Sequence, residues 1–191
     1  LSDGDLIHFR EDIEIPITPF FGTMGVCPES ASAQPVMPPG TFGGNMDTRQ
    51  LTKGTTLFLP VQVAGALFSC GDAHAAQGDG EVCGTAIETP MRTLVRLTVR
   101  KDVHVTGPEF LTADVATPVG RRYGTDGIGP DLNGAARDAV SRMIDWLGRE
   151  HGISAIDAYL LTSVAIDLRI SEIVDMPNVV VTAHCPLSIF D

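Results

Sequence analysis

Between Thr55 and Val103 the chain is a series of short apolar runs cut by glycine and proline, a pattern that reads as strand throughout. Residues 57–70 and 82–87 are apolar enough to predict core strands. Residues 94–100, Leu-Val-Arg-Leu-Thr-Val-Arg, alternate strictly. Val95, Leu97 and Val99 fall on one face, with Arg96, Thr98 and Arg100 opposite, as in a half-exposed antiparallel strand. Upstream, Pro16 and Pro19 cut residues 6–26 into one or two strands, and the Pro-, Ser- and Gly-rich residues 27–44 read as a loop. Beyond Thr125 the period changes. Asp131 or Asn133 caps a helix whose Ala136, Val140, Met143, Ile144 and Leu147 recur at three- and four-residue spacing, ending near Gly148. Met143 and Trp146 read as packing residues on that helix. Ser154, with Asp157 three later, opens a second helix running to about Thr162. Ile166, Leu168 and Ile170 then alternate in a strand, and residues 178–183 form another. The expected fold is mainly β: sandwich or jelly-roll-like sheets over residues 1–124, with a small two-helix, two-strand α/β layer over residues 125–191 packed against them.

A chain of 191 residues buries a sizeable core without disulfides, and 43% hydrophobic with 19% charged residues is ordinary globular composition. A net charge of −11, with Lys53 and Lys101 the only lysines, argues against nucleic acid or an anionic membrane as partner. Residues 57–70, the longest apolar run, are too short for a bilayer helix and are interrupted by Pro60 and Gln62. Cys27, Cys70, Cys83 and Cys185 show no Cys-x-x-Cys spacing, which predicts reduced thiols and a cytoplasmic protein. Gly127-Ile-Gly-Pro-Asp131 lacks the strand-to-helix setting of a dinucleotide loop, and no Gly-Lys-Ser/Thr follows the glycines at 40–44.

Chemistry concentrates in residues 71–84, Gly-Asp72-Ala-His74-Ala-Ala-Gln77-Gly-Asp79-Gly-Glu81-Val-Cys83-Gly. Asp72 and His74 are two apart, as are Asp79 and Glu81, so in extended chain each pair points to one face. Four residues separate the pairs, short enough for a hairpin-like reversal to unite three carboxylates and an imidazole. Imidazole with carboxylates suits zinc or a similar divalent metal, whereas calcium calls for oxygen ligands. The plain alternative is a solvated acidic turn. Asn45 and Asp47, again two apart, follow the glycine loop at Gly43 and Gly44. Cys83 reads as a small buried residue of a core strand, with a nucleophile beside Glu81 as the alternative. His104 reads as an exposed strand-end residue, and His184 with Cys185 as structural.

Several of these strings resemble the acetamidase/formamidase family. They are Gly40-Thr-Phe-Gly-Gly-Asn45-Met-Asp47, Gln50-Leu-Thr-Lys53-Gly and the run from Gly71 to Ala86, joined by Pro19-Phe-Phe-Gly-Thr-Met-Gly25. Ser163-Val-Ala-Ile-Asp167-Leu-Arg-Ile-Ser171 and Val174-Asp-Met-Pro177-Asn resemble the family's closing segment. The resemblance implies a metal-dependent, cytoplasmic, oligomeric hydrolase that cleaves small linear amides to carboxylate and ammonia. It also implies a segment ahead of the region matching Leu1, expected here on a second polypeptide that pairs near residues 6–26, the pair forming a homo-oligomer.

On that reading Asp72 and His74 anchor the metal, with Asp47 or Asp79 completing the ligands. Glu81 moves the proton, Asp79 and Glu81 being interchangeable by spacing alone, and Asn45, Gln77 or amides near Gly44 hold the substrate oxygen. Two rivals stay open: a hydrolase of cyclic amides (lactams) on the same scaffold, and a non-enzymatic calcium-binding β-sandwich using Asp72, Asp79 and Glu81 for recognition.

Overall fold

The computed structural model describes residues 2–3, 5–30, 32–113 and 120–190. In chain order its strands are β1 (Ser2–Asp3), β2 (Leu6–Arg10), β3 (Ile13–Pro16), β4 (Phe20–Gly25), β5 (Gly43–Asn45), β6 (Thr56–Phe58), β7 (Ser69–Ala76), β8 (Ile87–Glu88), β9 (Glu109–Leu111) and β10 (Arg122–Gly129). Helices α1 (Leu132–His151) and α2 (Ala155–Ala165) follow, then β11 (Asp167–Glu172) and β12 (Val179–Pro186). They make three sheets, ordered β1-β2-β3, β5-β4-β7-β8 and β11-β12-β10-β9-β6. This is the mainly β architecture with two helices and two strands at its end that the sequence predicts. The five-stranded sheet takes strands from both sides of position 124, so the proposed division at 124/125 falls inside β10.

Alternation along β10 and β12 sorts the two faces of the long sheet. Tyr123, Ala183 and Cys185 face the helices and pack with Ala139, Met143, Trp146 and Leu147 of α1 and Ala158 of α2. Tyr123 stacks on Trp146 with ring centroids 4.2 Å apart. Met143 and Trp146 are thus core, as their spacing implied. The opposite face carries Asp126, Thr182 and His184, and there Phe110 of β9 packs with Met46 and Leu51, with Met24 of β4 against them. Helix α1 lies so close to β10 that a Cβ on Gly127 would stand 1.9 Å from the Ala135 carbonyl oxygen and 2.3 Å from the Ala139 nitrogen. Backbone atoms cannot yield as side chains do, so Gly127→Ala is expected to lower stability by about 1–3 kcal/mol in urea unfolding.

The caps explain the helix limits. Asp131 accepts a hydrogen bond from Gly134 N–H, and Ser154 Oγ accepts one from Asp157 N–H. α1 runs past Gly148, its expected end, to Gly152, whose left-handed φ of 66° closes it. No helix among the described residues is long and apolar enough to cross a membrane.

Three strand expectations need correction. Residues 57–70 are strand only at their ends, in β6 and β7, because Pro60 and positive φ angles at Gly65, Ala66 and Leu67 break the run; Val61 and Leu67 are exposed. Residues 82–87 form a turn that enters β8 only at Ile87, with Val82 exposed. Residues 94–100 belong to no sheet, and their alternating apolar side chains lie exposed. Upstream, residues 6–26 hold three strands rather than one or two, whereas 27–44 is the expected loop up to Gly43, with residue 31 outside the described set.

Candidate active site

Strand β7 delivers Asp72 and His74 to one face of the four-stranded sheet, as their spacing predicts. His74 is 1% exposed, and its Nε2 lies 3.4 Å from Asp72 Oδ1 and 3.3 Å from Glu88 Oε1, the latter brought opposite His74 by β8. Asp47, buried just after β5, has Oδ1 3.6 Å from His74 Nδ1. Ligand atoms of Asp47, His74 and Glu81 all lie within 4.8 Å of one another, as do those of Asp72, His74 and Glu88.

Gly22 of β4 leaves the space these groups surround. A Cβ there would stand 2.2 Å from Asp47 Oδ1, 2.7 Å from Asp72 Oδ2 and 2.8 Å from His74 Cε1. Among the described residues five non-glycines have positive φ, and three of them are Asp47 (45°), Asp72 (57°) and Glu81 (43°). Left-handed backbone costs an L-residue roughly 1–2 kcal/mol. Such strain gathers where side chains are aimed rather than merely packed.

Gln77 fixes the imidazole. Its Nε2 donates to the Asp47 carbonyl at 2.7 Å, so its Oε1 is left to accept from His74 Nδ1 at 2.8 Å. That tautomer bares the Nε2 lone pair toward Asp72 and Glu88. Donors about 2.1 Å from a tetrahedral zinc stand about 3.4 Å apart, which is the spacing of His74 Nε2 from the oxygens of Asp72 and Glu88. Asp47 Oδ1 is buried with no hydrogen-bond partner. A set of acceptors with an orphaned carboxylate oxygen and an N–H-anchored histidine fits a divalent cation. Crowding without one has a clear electrostatic signature. Burial, a hydrogen bond with Asp175 and the charges of Glu81, Asp175 and Asp72 push the Asp47 carboxyl up to about 10. Burial likewise raises Glu81, with Asp175, Asp72 and Glu88 adding to the rise and His74 opposing it.

The second fork does not form. Gly80 (φ 96°) and Glu81 take left-handed conformations, and Gly80 is clipped to β11 by bonds to Ser171 and Ile173 rather than folded back as a hairpin. Glu81 therefore turns inward while Asp79 turns away, accepting from Gln50 Nε2 at 3.1 Å and pairing with Arg169 at 3.3 Å. Asn45 donates to Asp175 Oδ2 at 2.7 Å and accepts from Thr23. Gly44, with φ 91°, lies in β5 against Phe42. Gln77 sits behind His74 as its support, not in an open pocket. Cys83 is exposed rather than buried, its thiol directed to the Thr85 carbonyl at 3.5 Å, and it belongs to neither ligand group; Cys70 is exposed too.

Glu88 and Asp175 escaped the sequence reading. Asp175 stands in the closing string around Pro177, yet nothing in linear spacing ties it to Asn45, 130 positions away. Glu88 reaches His74 through cross-strand pairing, which a two-residue period within one strand does not reveal.

A sequence model of the Acetamidase/Formamidase family matches residues 28–191. The chain belongs to that family. A formamidase of Methylophilus methylotrophus is 34% identical over 179 residues, 85% of this chain and 43% of the relative. Among solved structures, a predicted acetamidase/formamidase from the thermophile Thermoanaerobacter tengcongensis superposes with a TM-score of 0.87 at 31% identity, over 98% of this chain and 60% of that one. An acetamidase from Bacillus halodurans gives 0.85 at 30%, covering 98% and 61%. The chain thus spans about two fifths of the length of the curated relatives it matches. The acetamidase/formamidase strings of the sequence, Gly40–Asp47 and Gly71–Ala86, are the segments that carry Asp47, Asp72, His74 and Glu81 into these ligand groups, with Gln77 bonded to His74 and Asn45 to Asp175.

Proposed function

We propose that this chain carries the hydrolytic centre of a small-amide hydrolase, splitting a linear amide such as formamide or acetamide into carboxylate and ammonia. The observation that carries the reading is the notch at Gly22, ringed by Asp47, Asp72 and His74 with Glu81 and Glu88 beside them, in a chain of this family. Asp72, His74 and Glu88 would hold a divalent cation, with Asp47 across the notch. Zinc is proposed over calcium because a buried imidazole is at the centre of the set. Bound there, the cation supplies Lewis acidity that polarises the amide carbonyl and eases deprotonation of water at neutral pH.

The chain's own groups do the rest. Glu81, its proton affinity raised by burial and neighbouring carboxylates, takes a proton from the attacking water and returns it to the departing nitrogen as the C–N bond breaks. Asn45 spends one N–H on Asp175 and keeps its second for the substrate oxygen. Gln77 holds the His74 ring, and Asp79 is left outside the chemistry by its pairing with Arg169. Asp72 and Glu88 are the open side of the cluster, and the polypeptide corresponding to the rest of the family's length is proposed to close over them. Four free thiols fit a reducing, cytoplasmic setting.

The test is ammonia release from formamide and acetamide by zinc-loaded protein, with a lactam as the competing substrate and chelated protein as control. No release from either linear amide with full zinc occupancy overturns the reading. Glu81→Gln is expected to keep the metal and the fold while lowering kcat about 10²–10⁴-fold. Unchanged turnover in that variant removes Glu81 from the proton transfer. Loss of turnover in Cys83→Ala with metal retained would restore the thiol nucleophile.

A further inference from the structure

Strand β11 ends irregularly, and the irregularity turns a carboxylate inward. Its pairing with β12 steps from Ile170 opposite Val181 to Glu172 opposite Val180, a bulge that interrupts the alternation, so that Ser171 and Glu172 are consecutive and both buried. Ser171 directs its hydroxyl to that of Thr182. Glu172, 0% exposed, reaches into the turn that follows. Its Oε2 accepts from Val174 N–H at 2.8 Å and from Asp175 N–H at 3.0 Å, while Oε1 is buried without a partner. Burying a carboxylate for two backbone bonds is unfavourable, and burial together with the charges of Asp175 and Glu81 raises this carboxyl to about 7 against those bonds. An apolar residue would fill such a position at less cost, and groups of this kind persist where the geometry they hold is used.

What Glu172 holds is the backbone of Asp175, which lies between β11 and β12. Asp175 Oδ2 accepts from Asn45 Nδ2 at 2.7 Å, and Asn45 Oδ1 accepts from the Thr23 hydroxyl. A hydroxyl can donate or accept, so Thr23 does not decide which end of the carboxamide faces it. The carboxylate, which only accepts, does decide. It keeps the NH2 group on its own side and leaves the second N–H for a substrate oxygen. With Asp175 displaced, the carboxamide can turn over and present oxygen to oxygen.

We propose that Glu172 is a positioning residue for amide hydrolysis: by clasping the turn at Val174 and Asp175 it sets Asp175, and through Asp175 the direction in which Asn45 donates. The proposal rests on the reading above in which Asn45 receives the substrate oxygen. Glu172 belongs to neither ligand group, so its effect is separable from metal binding. Asp175 also bonds the Asp47 carboxyl, and zinc affinity tells that route from the one through Asn45.

The experiment is a double-mutant cycle between Glu172 and Asn45 in the zinc-loaded full chain, read by formamide turnover and by the side-chain NH2 signals of Asn45 in NMR, which are identified by their loss in Asn45→Ala. Glu172→Ala is expected to lower kcat about 100-fold with KM changed less, as a reacting geometry displaced by about 1 Å does. In the Asn45→Ala background the same change is expected to cost less than about twofold, because the donor it acts through is gone. Glu172→Gln keeps an accepting oxygen for both N–H groups and is expected to stay within about threefold of the parent. The Asn45 signals are expected to shift in Glu172→Ala and to hold in Glu172→Gln, with zinc affinity within about threefold throughout. Where Glu172→Ala does not fold, Glu172→Asp, which withdraws the accepting oxygen by one methylene, takes its place in the cycle with the same expected coupling. A loss of turnover as large without Asn45 as with it, Asn45 signals unmoved by Glu172→Ala, a glutamine variant as poor as the alanine one, or a fall in zinc affinity that matches the fall in turnover overturns the proposal. A parent that releases no ammonia overturns the amidase reading instead, and the Asn45 signals then decide by themselves whether Glu172 sets the carboxamide.

Discussion

Gly22→Ala is expected to abolish stoichiometric zinc binding and amide turnover together. A methyl group at this position would occupy the space bounded by Asp47 Oδ1 at 2.2 Å, Asp72 Oδ2 at 2.7 Å and His74 Cε1 at 2.8 Å. Asp72, on the open side, has some room, but the other two cannot step back freely. Asp47 and His74 are each 1% exposed, and the ring is tied to Gln77. Relief comes only by opening the cluster, which moves ligand atoms out of reach of a common ion. Metal affinity is expected to fall about 10–100-fold, as loss of ligand positioning costs elsewhere, and metal content by elemental analysis to fall with it. Overpacking also lowers stability, by about 1–3 kcal/mol, so a control is needed. Gly71→Ala supplies it: Gly71 is on the neighbouring strand β7, where an added Cβ meets nothing within 4 Å. That variant should keep metal, activity and stability. Full zinc occupancy in folded Gly22→Ala would show that the notch is not where the cation sits.

Sequence reading reached the parts of this site that lie within one regular element. Asp72 and His74 come together on β7 as a period of two suggests, although the left-handed φ of 57° at Asp72 is a local departure that the period does not show. The same logic failed for Asp79 and Glu81, four residues on, because the positive φ at Gly80 and Glu81 turns the chain and sends the two carboxylates apart. Nothing in side-chain chemistry marks Glu81 for a conformation that glycine favours. The helices were legible for a local reason as well: Asp131 and Ser154 cap them with bonds spanning three residues. Residues 94–100 were legible as a pattern and misread as a structure. Alternation states which face is apolar, and it is silent on whether the segment pairs at all. Glu88 and Asp175 join the cluster through pairing across strands and across most of the chain, which no local period encodes.

A second large effect belongs to the buried polar face of the long sheet, where Thr48, next to Asp47 in the chain, meets Asp126. Asp126 accepts from Thr182 at 2.5 Å and Thr48 at 3.2 Å, and burial raises its carboxyl to about 7 against those two bonds and the charge of Arg142. His184, on the same face, has no partner for either ring nitrogen, and burial depresses it to about 3. Their effects on stability have opposite signs. Between pH ~4 and 7 native Asp126 keeps a proton that the unfolded chain releases, so its contribution is lost as pH rises through that window. Between pH ~6.5 and 3 unfolded His184 gains a proton that the native state refuses, so stability falls as pH drops. Where the windows overlap the two slopes offset each other. Asp126→Asn keeps the shape, accepting from Thr182 and donating to Thr48, and removes only the titration. The variant should match the parent near pH 4. It should exceed it near pH 8 by on the order of 4 kcal/mol, the free energy of moving a carboxyl from 3.8 to about 7. With Asp126 gone one downward slope is removed, so the variant's stability should gain on the parent's as pH rises from about 4 to 7, while the other raised carboxyls, Asp47 and Glu172 among them, contribute equally to both. Urea unfolding at pH 4, 5.5 and 8 measures all three points. The side chains bonded to Asp126 are two hydroxyls, Thr182 and Thr48, which carry no titratable proton in this range. A variant destabilised by the same amount at all three values would show that hydrogen-bond geometry, and not the buried charge, sets the worth of this position.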